Sequence, residues 1–489
     1  MLLGDLLVAH GVLTHQDVQK AVERQRMNGG LLGENLVALG RLSQDQLQDF
    51  LDYFPAEPNT IEETGLNQSF LLALAVKTLY VRALDTASKL AASLCLPVKM
   101  ATDLLDICRE RKLAEVLGVV GASMVAELRY TLTSKGRDWA VEALEQSQYI
   151  GPAPVSLAAF CSQVERQTIR TERVGHQHLA RRLSHLVLQD SVVREFGPAV
   201  NSGRAILVYG PAGNGKTSIA EAIGKTFEGV VHIPHAIEID GQVIKVYDPT
   251  VHEEISKRSG SNGRGRLAMR AQEKAVDQRW VACRRPVIIG GGELTLSMLD
   301  LGFNPIARFY EAPLQVKAMN GVFIIDDFGR QAVDPKDILN RWIIPLQNRV
   351  DYLALNTGKK FQVPFDSLLI FSTNLQPADL MDEAFLRRIP YKILMTRPSL
   401  DDYCEIFKRV CRAYKIELPP GILDFLLNDY YRAYNLPLSC NHPKFIIDCI
   451  VDYCRYSDEP PHITSELINF ALRNLSVNES DRPPPPSIA

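Results

Sequence analysis

"AILVYGPAGNGKTS", residues 205–218, decides how the chain is read. Five apolar residues run into Gly210-x-x-x-x-Gly215-Lys216-Thr217, and "SIAEAIGKTF" follows with helical spacing. The order predicts a buried strand, a glycine-rich loop and a helix. Glycines let backbone N–H groups close around phosphate oxygens, where a larger side chain would clash. The helix N-terminus adds partial positive charge at the same place. Gly210, Pro211, Ala212, Gly213, Asn214 and Gly215 therefore form the expected phosphate loop, with Ser218 just beyond. Lys216 is expected to contact β- and γ-phosphates, and Thr217 to bind Mg²⁺.

A second acidic site follows another apolar strand in "GVFIIDDFGR", residues 321–330. Adjacent carboxylates at a strand end are costly unless a cation compensates them. Asp326 is expected to hold Mg²⁺ through water, and Asp327 to orient an attacking water. "AILVYG", "PVIIGG", "GVFIIDD" and "LLIFSTN" are short, continuously apolar and separated by helical stretches. Such strands predict a parallel sheet covered by helices on both faces, over residues 172–396.

Composition bounds the rest. The chain has 489 residues, 46% of them hydrophobic, which predicts several domains. A net charge of −3 excludes the global basic footprint of a protein that coats nucleic acid. The nine cysteines are scattered without a Cys-x-x-Cys pair, which argues against a disulfide framework or a zinc ribbon. There is no basic leader, and no apolar run reaches the ~18 residues of a membrane span. A cytoplasmic protein without membrane insertion is the expectation.

Residues 2–25 and 31–54 align without gaps, with nine identities at an offset of 29. Thr14-x-x-Asp17 and Ser43-x-x-Gln46 are capping-box starts, so each unit reads as helix–turn–helix in a domain over 1–54. A linker follows at 55–66. Residues 67–148 read as three helices, a strand pair and a helix capped by Thr133 or Ser134, an order that looks like a winged helix. This segment carries ten Lys/Arg against nine Asp/Glu, and Lys99 alone stands near the start of its presumed recognition helix. That balance favours protein docking over DNA binding. A second linker spans 149–171.

The 110 residues between Lys216 and Asp326 exceed what the sheet needs, so an insertion is expected at about 232–318. It opens with a hairpin across Asp240-Gly241. A stretch with nine Lys/Arg follows at 257–285 and reads as a solvated loop or a contact for an acidic partner. Phe309 and Tyr310 read as buried core aromatics rather than residues that grip a polypeptide. Residues 397–478 are helical, and 479–489 ends in a proline-rich tail.

Taken together, these motifs resemble the AAA+ ATPases over roughly residues 172–478. The resemblance implies a P-loop α/β core with a helical lid, hydrolysis of ATP with Mg²⁺, and a ring homo-oligomer, a hexamer by that resemblance, that remodels a protein partner. It implies that Asn374, ending "LLIFSTN", positions water near the γ-phosphate. Arg387 and Arg388 in "MDEAFLRRIPYKI" match the segment that completes a neighbouring subunit's site. Lys444 falls where the lid's sensor residue, usually Arg, would sit, and Asp327 stands where the family usually has Glu. The architecture also looks like chaperone-type ATPases associated with Flp (tight-adherence) pilus assembly. Residues 1–54 are similar to the N-terminal domain of type II secretion and type IV pilus ATPases. Binding units of that domain usually begin Arg-Leu-Gly and read cyclic di-GMP; Leu2 and Leu31 stand at those positions, which disfavours that ligand.

Overall fold

The computed structural model describes residues 12–120, 127–255 and 276–475, together with Gly4, Leu7 and Val8. Leu2, the part of the basic stretch at 257–275 and the tail at 479–489 lie outside the described residues.

Both capping boxes form. Thr14 opens α1 (His15–Asn28) and exchanges hydrogen bonds with Asp17, and Ser43 does the same with Gln46 before α3 (Gln44–Tyr53). Between them lies α2 (Leu32–Ala38), with Leu31 as its N-cap. The repeat is visible in the packing. Gly4 lies against Val18 and Gly33 against Leu47, which are equivalent positions in the two units. Leu13, Ala21, Leu32, Leu36, Leu42 and Leu47 share the buried core.

Next come α4 (Gln68–Arg82), α5 (Ala87–Leu94) and α6 (Val98–Glu110), then an antiparallel pair, β1 (Ala114–Val120) and β2 (Glu127–Leu132). Thr133 accepts from the Gly136 N–H to cap α7 (Ser134–Gln146). Leu71, Leu90, Leu104 and Tyr130 close a common core beneath these elements.

The chain then runs through β3 (Val155–Ser156), α8 (Leu157–Arg166), α9 (His176–Leu183) and α10 (Asp190–Ser202) into β4 (Ile206–Tyr209) and α11 (Lys216–Gly224). Strands β5 (Val230–Pro234), β6 (Ala236–Ile239), β7 (Gln242–Lys245) and β8 (Trp280–Arg284) follow. Asp240 and Gly241, both at positive φ, make the expected tight turn between β6 and β7. After β9 (Val287–Gly290) come β10 (Gly302–Asn304), β11 (Phe309–Glu311) and β12 (Val322–Ile325).

Strand β9 pairs with β12 in the central sheet although it lies inside the span read as one insertion. The added material is therefore two segments on either side of β9, not one block. Parts of both build a second sheet in the order β10-β11-β7-β6-β3. Tyr310 is buried there, and the Phe309 ring meets Tyr149 edge-on, so both aromatics serve packing.

The remaining elements are α12 (Pro335–Asn348), the hairpin β13 (Val350–Ala354) and β14 (Lys360–Pro364), β15 (Leu368–Thr373), α13 (Glu383–Leu386) and β16 (Tyr391–Leu394). The helices of the region expected to form the lid are α14 (Leu400–Tyr414), α15 (His442–Tyr456) and α16 (Ser465–Leu475). All pairings in the central sheet are parallel, in the order β16-β4-β15-β12-β9. Alternate residues of each strand face opposite layers. Ile206 and Val208 pack with Phe196, Ile219 and Ile223, while Leu207 packs with the cluster of Phe323, Phe371 and Trp342. Burial on both faces explains why these strands read as continuous apolar runs. The lid has its own core around Tyr403, Phe407, Ile446, Ile450 and Ile468. Among the described residues, no helix is long and apolar enough to cross a membrane.

Candidate functional site

Strands β4 and β15 are neighbours, but their outgoing connections run to opposite sides of the sheet. Beyond the carboxyl ends of such a pair the loops part and leave a crevice. The phosphate loop leaves β4 into this crevice, Asn374 follows β15, and Asp326 and Asp327 follow β12 on the far side of β15. Parallel pairing thus brings residues 110 and more positions apart to one edge.

Side chains connect them. The Lys216 ammonium is buried and donates to the Gly210 and Pro211 carbonyls, each at 2.9 Å, and to Asn374 Oδ1 at 2.6 Å. Asn374 Nδ2 in turn donates to Asp327 Oδ1 at 2.9 Å. Burial pushes the Lys216 ammonium below the ordinary lysine range, while Asp327 and Asp326 pull it back up. Thr217 Oγ1 donates to Asp326 Oδ2 at 2.7 Å. Among the described residues, buried Asp326 Oδ1 finds no hydrogen-bond partner. A buried carboxylate oxygen without a donor is costly, and next to a threonine hydroxyl it fits a divalent cation. Ser218 stands exposed in the first turn of α11.

The turn after β12 is held firmly. The Phe328 N–H donates to the Ser372 carbonyl at 2.7 Å, and Thr373 Oγ1 donates to the Phe328 carbonyl at 2.7 Å. Gln331 Nε2 donates to the Asp326 carbonyl at 3.0 Å, while its Oε1 accepts from Gly329 N–H. This clamp holds Asp327 at φ +47°, a left-handed conformation uncommon outside glycine. Sequence reading did not single out Gln331, whose role depends on a turn geometry that no spacing rule encodes.

The lid reaches the phosphate loop through residues 439–441. Asn441 N–H donates to the Gly213 carbonyl at 3.0 Å, and Ser439 Oγ to the Ala212 carbonyl at 3.4 Å. Gly213 has φ +78°, and a Cβ there would sit 2.5 Å from both Ser439 Oγ and Asn441 Oδ1. The contact therefore requires glycine for both its backbone shape and the close approach. A cavity of about 330 Å³ lies at this junction, lined by Ala212, Gly213, Arg397, Tyr431, Asn441 and His442 among others. Burial, reinforced by Arg397, pushes the His442 imidazole down to about 4, so it is neutral near pH 7. The Tyr431 hydroxyl lies 2.7 Å from His442 Nδ1.

Lys444 is placed elsewhere. Its exposed ammonium pairs with Asp448 at 2.6 Å one turn along α15, because i,i+4 partners meet on a helix surface. Arg397 and His442, which sequence reading did not name, line the cavity beside the phosphate loop instead. Arg387 is exposed and paired with Glu383 at 2.8 Å, and Arg388 contacts Gln347 at 3.5 Å. Both stand just after α13, and those bonds hold them on their own part of the surface.

A family model described as a domain of unknown function, DUF8689, matches residues 399–474, which span the lid helices. No curated protein matches the chain. Among solved structures, the chain is similar to NtrX from Brucella abortus in complex with ATP, at 13% identity and a TM-score of 0.35, over 68% of this chain and 63% of that one. It is also similar to the Thermotoga maritima RuvB Holliday junction branch migration motor, at 12% identity and a TM-score of 0.32, over 60% of this chain and 72% of that one. The chain spans little more than three fifths of the NtrX chain. Likenesses this slight decide nothing about the site, whose reading rests on its own geometry.

Proposed function

We propose that the chain is a Mg²⁺-dependent ATPase of the AAA+ type that acts as a ring to remodel a protein partner. One observation carries this reading: Lys216, Thr217, Asp326, Asp327 and Asn374 are linked by hydrogen bonds at the carboxyl edge of one parallel sheet. Lys216 turns from its own loop carbonyls to the β- and γ-phosphates when these enter. The loop N–H groups and the start of α11 hold the phosphate oxygens. Thr217 and Asp326 would hold Mg²⁺, which would neutralise charge on the phosphates. Asp327 takes the proton of the attacking water, and Asn374 keeps that carboxylate oriented.

The resemblance of residues 1–54 to secretion and pilus-ATPase domains supports a partner in that kind of machinery. Exposed Leu117 and Val119 on the β1–β2 hairpin support protein docking by the second domain. Of the cations a DNA-binding reading would use, Arg129 pairs with Asp85 at 3.0 Å and Lys135 donates to the Arg111 carbonyl at 3.1 Å. Lys99 stays exposed at the start of α6, so one of these three cations faces solvent without the other two beside it as free charges.

Two variants test the reading. In calorimetric titration, Lys216→Ala is expected to lose ATP binding. Asp327→Asn is expected to retain ATP while its turnover falls by about 10²-fold or more, the usual worth of a general base. ATP binding by Lys216→Ala at parental affinity would overturn the site, and normal turnover by Asp327→Asn would overturn the assignment of the base.

A further inference from the structure

The lid carries an aromatic surface that its own core leaves uncovered. Tyr453 and Tyr456 are three residues apart on α15, and so share one face of the helix. Phe470 on the packed neighbour α16 meets the Tyr453 ring at a centroid distance of 5.0 Å. Tyr456 is 89% exposed, with Tyr453 at 40% and Phe470 at 39%. Large aromatics clustered at the surface are the form taken by grooves that accept proline-rich segments. Asp452, Glu459 and Glu466 are exposed positions next to these rings in sequence and helical spacing.

The chain itself supplies such a segment. Eight residues after Leu475, where α16 ends, the run Pro483–Pro486 begins, directly preceded by Arg482. Consecutive prolines favour the polyproline II helix, which has little conformational freedom left to lose on docking. Eight residues of chain reach at most about 26 Å. Phe470 lies only about 7.5 Å back along the helix from Leu475, so the tail can fold back over the patch. A tether this short sets an effective concentration in the millimolar range, enough to fill a site of weak intrinsic affinity.

We propose that Pro483–Pro486 dock on the Tyr453, Tyr456 and Phe470 surface of the same chain, with Arg482 facing its acidic rim. The tail then covers the outer face of the lid and ties the end of α16 to α15. Pairing of pyrrolidine rings with aromatic faces supplies the contact, and attraction between Arg482 and the surrounding carboxylates sets its direction.

Tyrosine footprinting of the full chain by nitration and mass spectrometry tests this. Tyr456 is expected to react about fivefold more slowly in the parent than in a variant with all four prolines replaced by serine, because a millimolar tether keeps the site mostly filled. The protection is expected to persist on dilution. Equal Tyr456 reactivity in the two proteins would overturn the proposal. So would protection lost on dilution, since that outcome assigns the surface to the tail of a second copy.

Discussion

Lys77 shows how one residue departs from its ordinary chemistry. It lies on α4, is 5% exposed, and its ammonium donates to the Ser147 carbonyl at 2.9 Å. Burial pushes it from 10.5 down to about 8. Between these values the unfolded chain holds more protons than the folded one, so stability rises with pH across that window. The gain amounts to about 3 kcal/mol at most, and it is full once the pH passes the unfolded value. In urea titrations at pH 8 and pH 10, the parent is expected to show this rise and Lys77→Met to lack it. Equal slopes in the two proteins would refute the assignment. Nothing in the sequence marks Lys77, since its burial depends on Ser147, 70 residues away, returning across α4. Asp326 and Asp327 were legible because adjacent carboxylates at the end of an apolar strand demand a reason.

Among the elements, the capping boxes, the β6–β7 hairpin and the strands of the central sheet followed from local chemistry. Propensity alone fails at Gly136 in α7. There it would advise alanine, with a gain of about 0.5–1 kcal/mol for a helix position. A methyl group at Gly136 would instead collide with the Leu113 carbonyl, which is backbone and cannot swing aside. The helix start is held against that turn by Thr133, whose hydroxyl donates to the Lys112 carbonyl at 2.8 Å. Gly136→Ala is therefore expected to destabilise the protein by about 1–3 kcal/mol. A raised thermal midpoint in calorimetry would show that α7 moves freely and that the packing argument is wrong. The same kind of tertiary fact governs Phe54. It aligns with Gln25 of the first repeat, yet its ring packs edge-on against His232. Gln163 Nε2 donates to the neighbouring Tyr53 carbonyl at 2.8 Å, which helps to seat the repeat on the core.

At the scale of the molecule, the proposed ring makes Arg387 the natural candidate to complete a neighbour's site. It is exposed, and its 2.8 Å pair with Glu383 is itself open to solvent, where such pairs contribute little, whereas Arg388 is half-buried beside Gln347. Arg387→Ala is expected to keep ATP binding while losing hydrolysis by about 10³-fold or more, the usual worth of such an arginine. Mixing it with Lys216→Ala subunits should restore turnover, because each Lys216→Ala subunit lends its intact Arg387 to an intact phosphate loop. No recovery in the mixture would remove Arg387 from this role.

Features that follow from neighbours along the chain could be read without the fold. These are the phosphate loop between strand and helix, the paired carboxylates, the capped helices and the duplicated unit at the start. Each is settled within a dozen residues by backbone conformation, hydrogen bonding or apolar periodicity. Packing across the molecule, by contrast, set β9 in the central sheet, pressed residues 439–441 on Gly213, and turned Lys444 away while Arg397 and His442 face the cavity. Those outcomes depend on which surfaces bury each other across hundreds of residues, and on the close approach of backbones that no local pattern records.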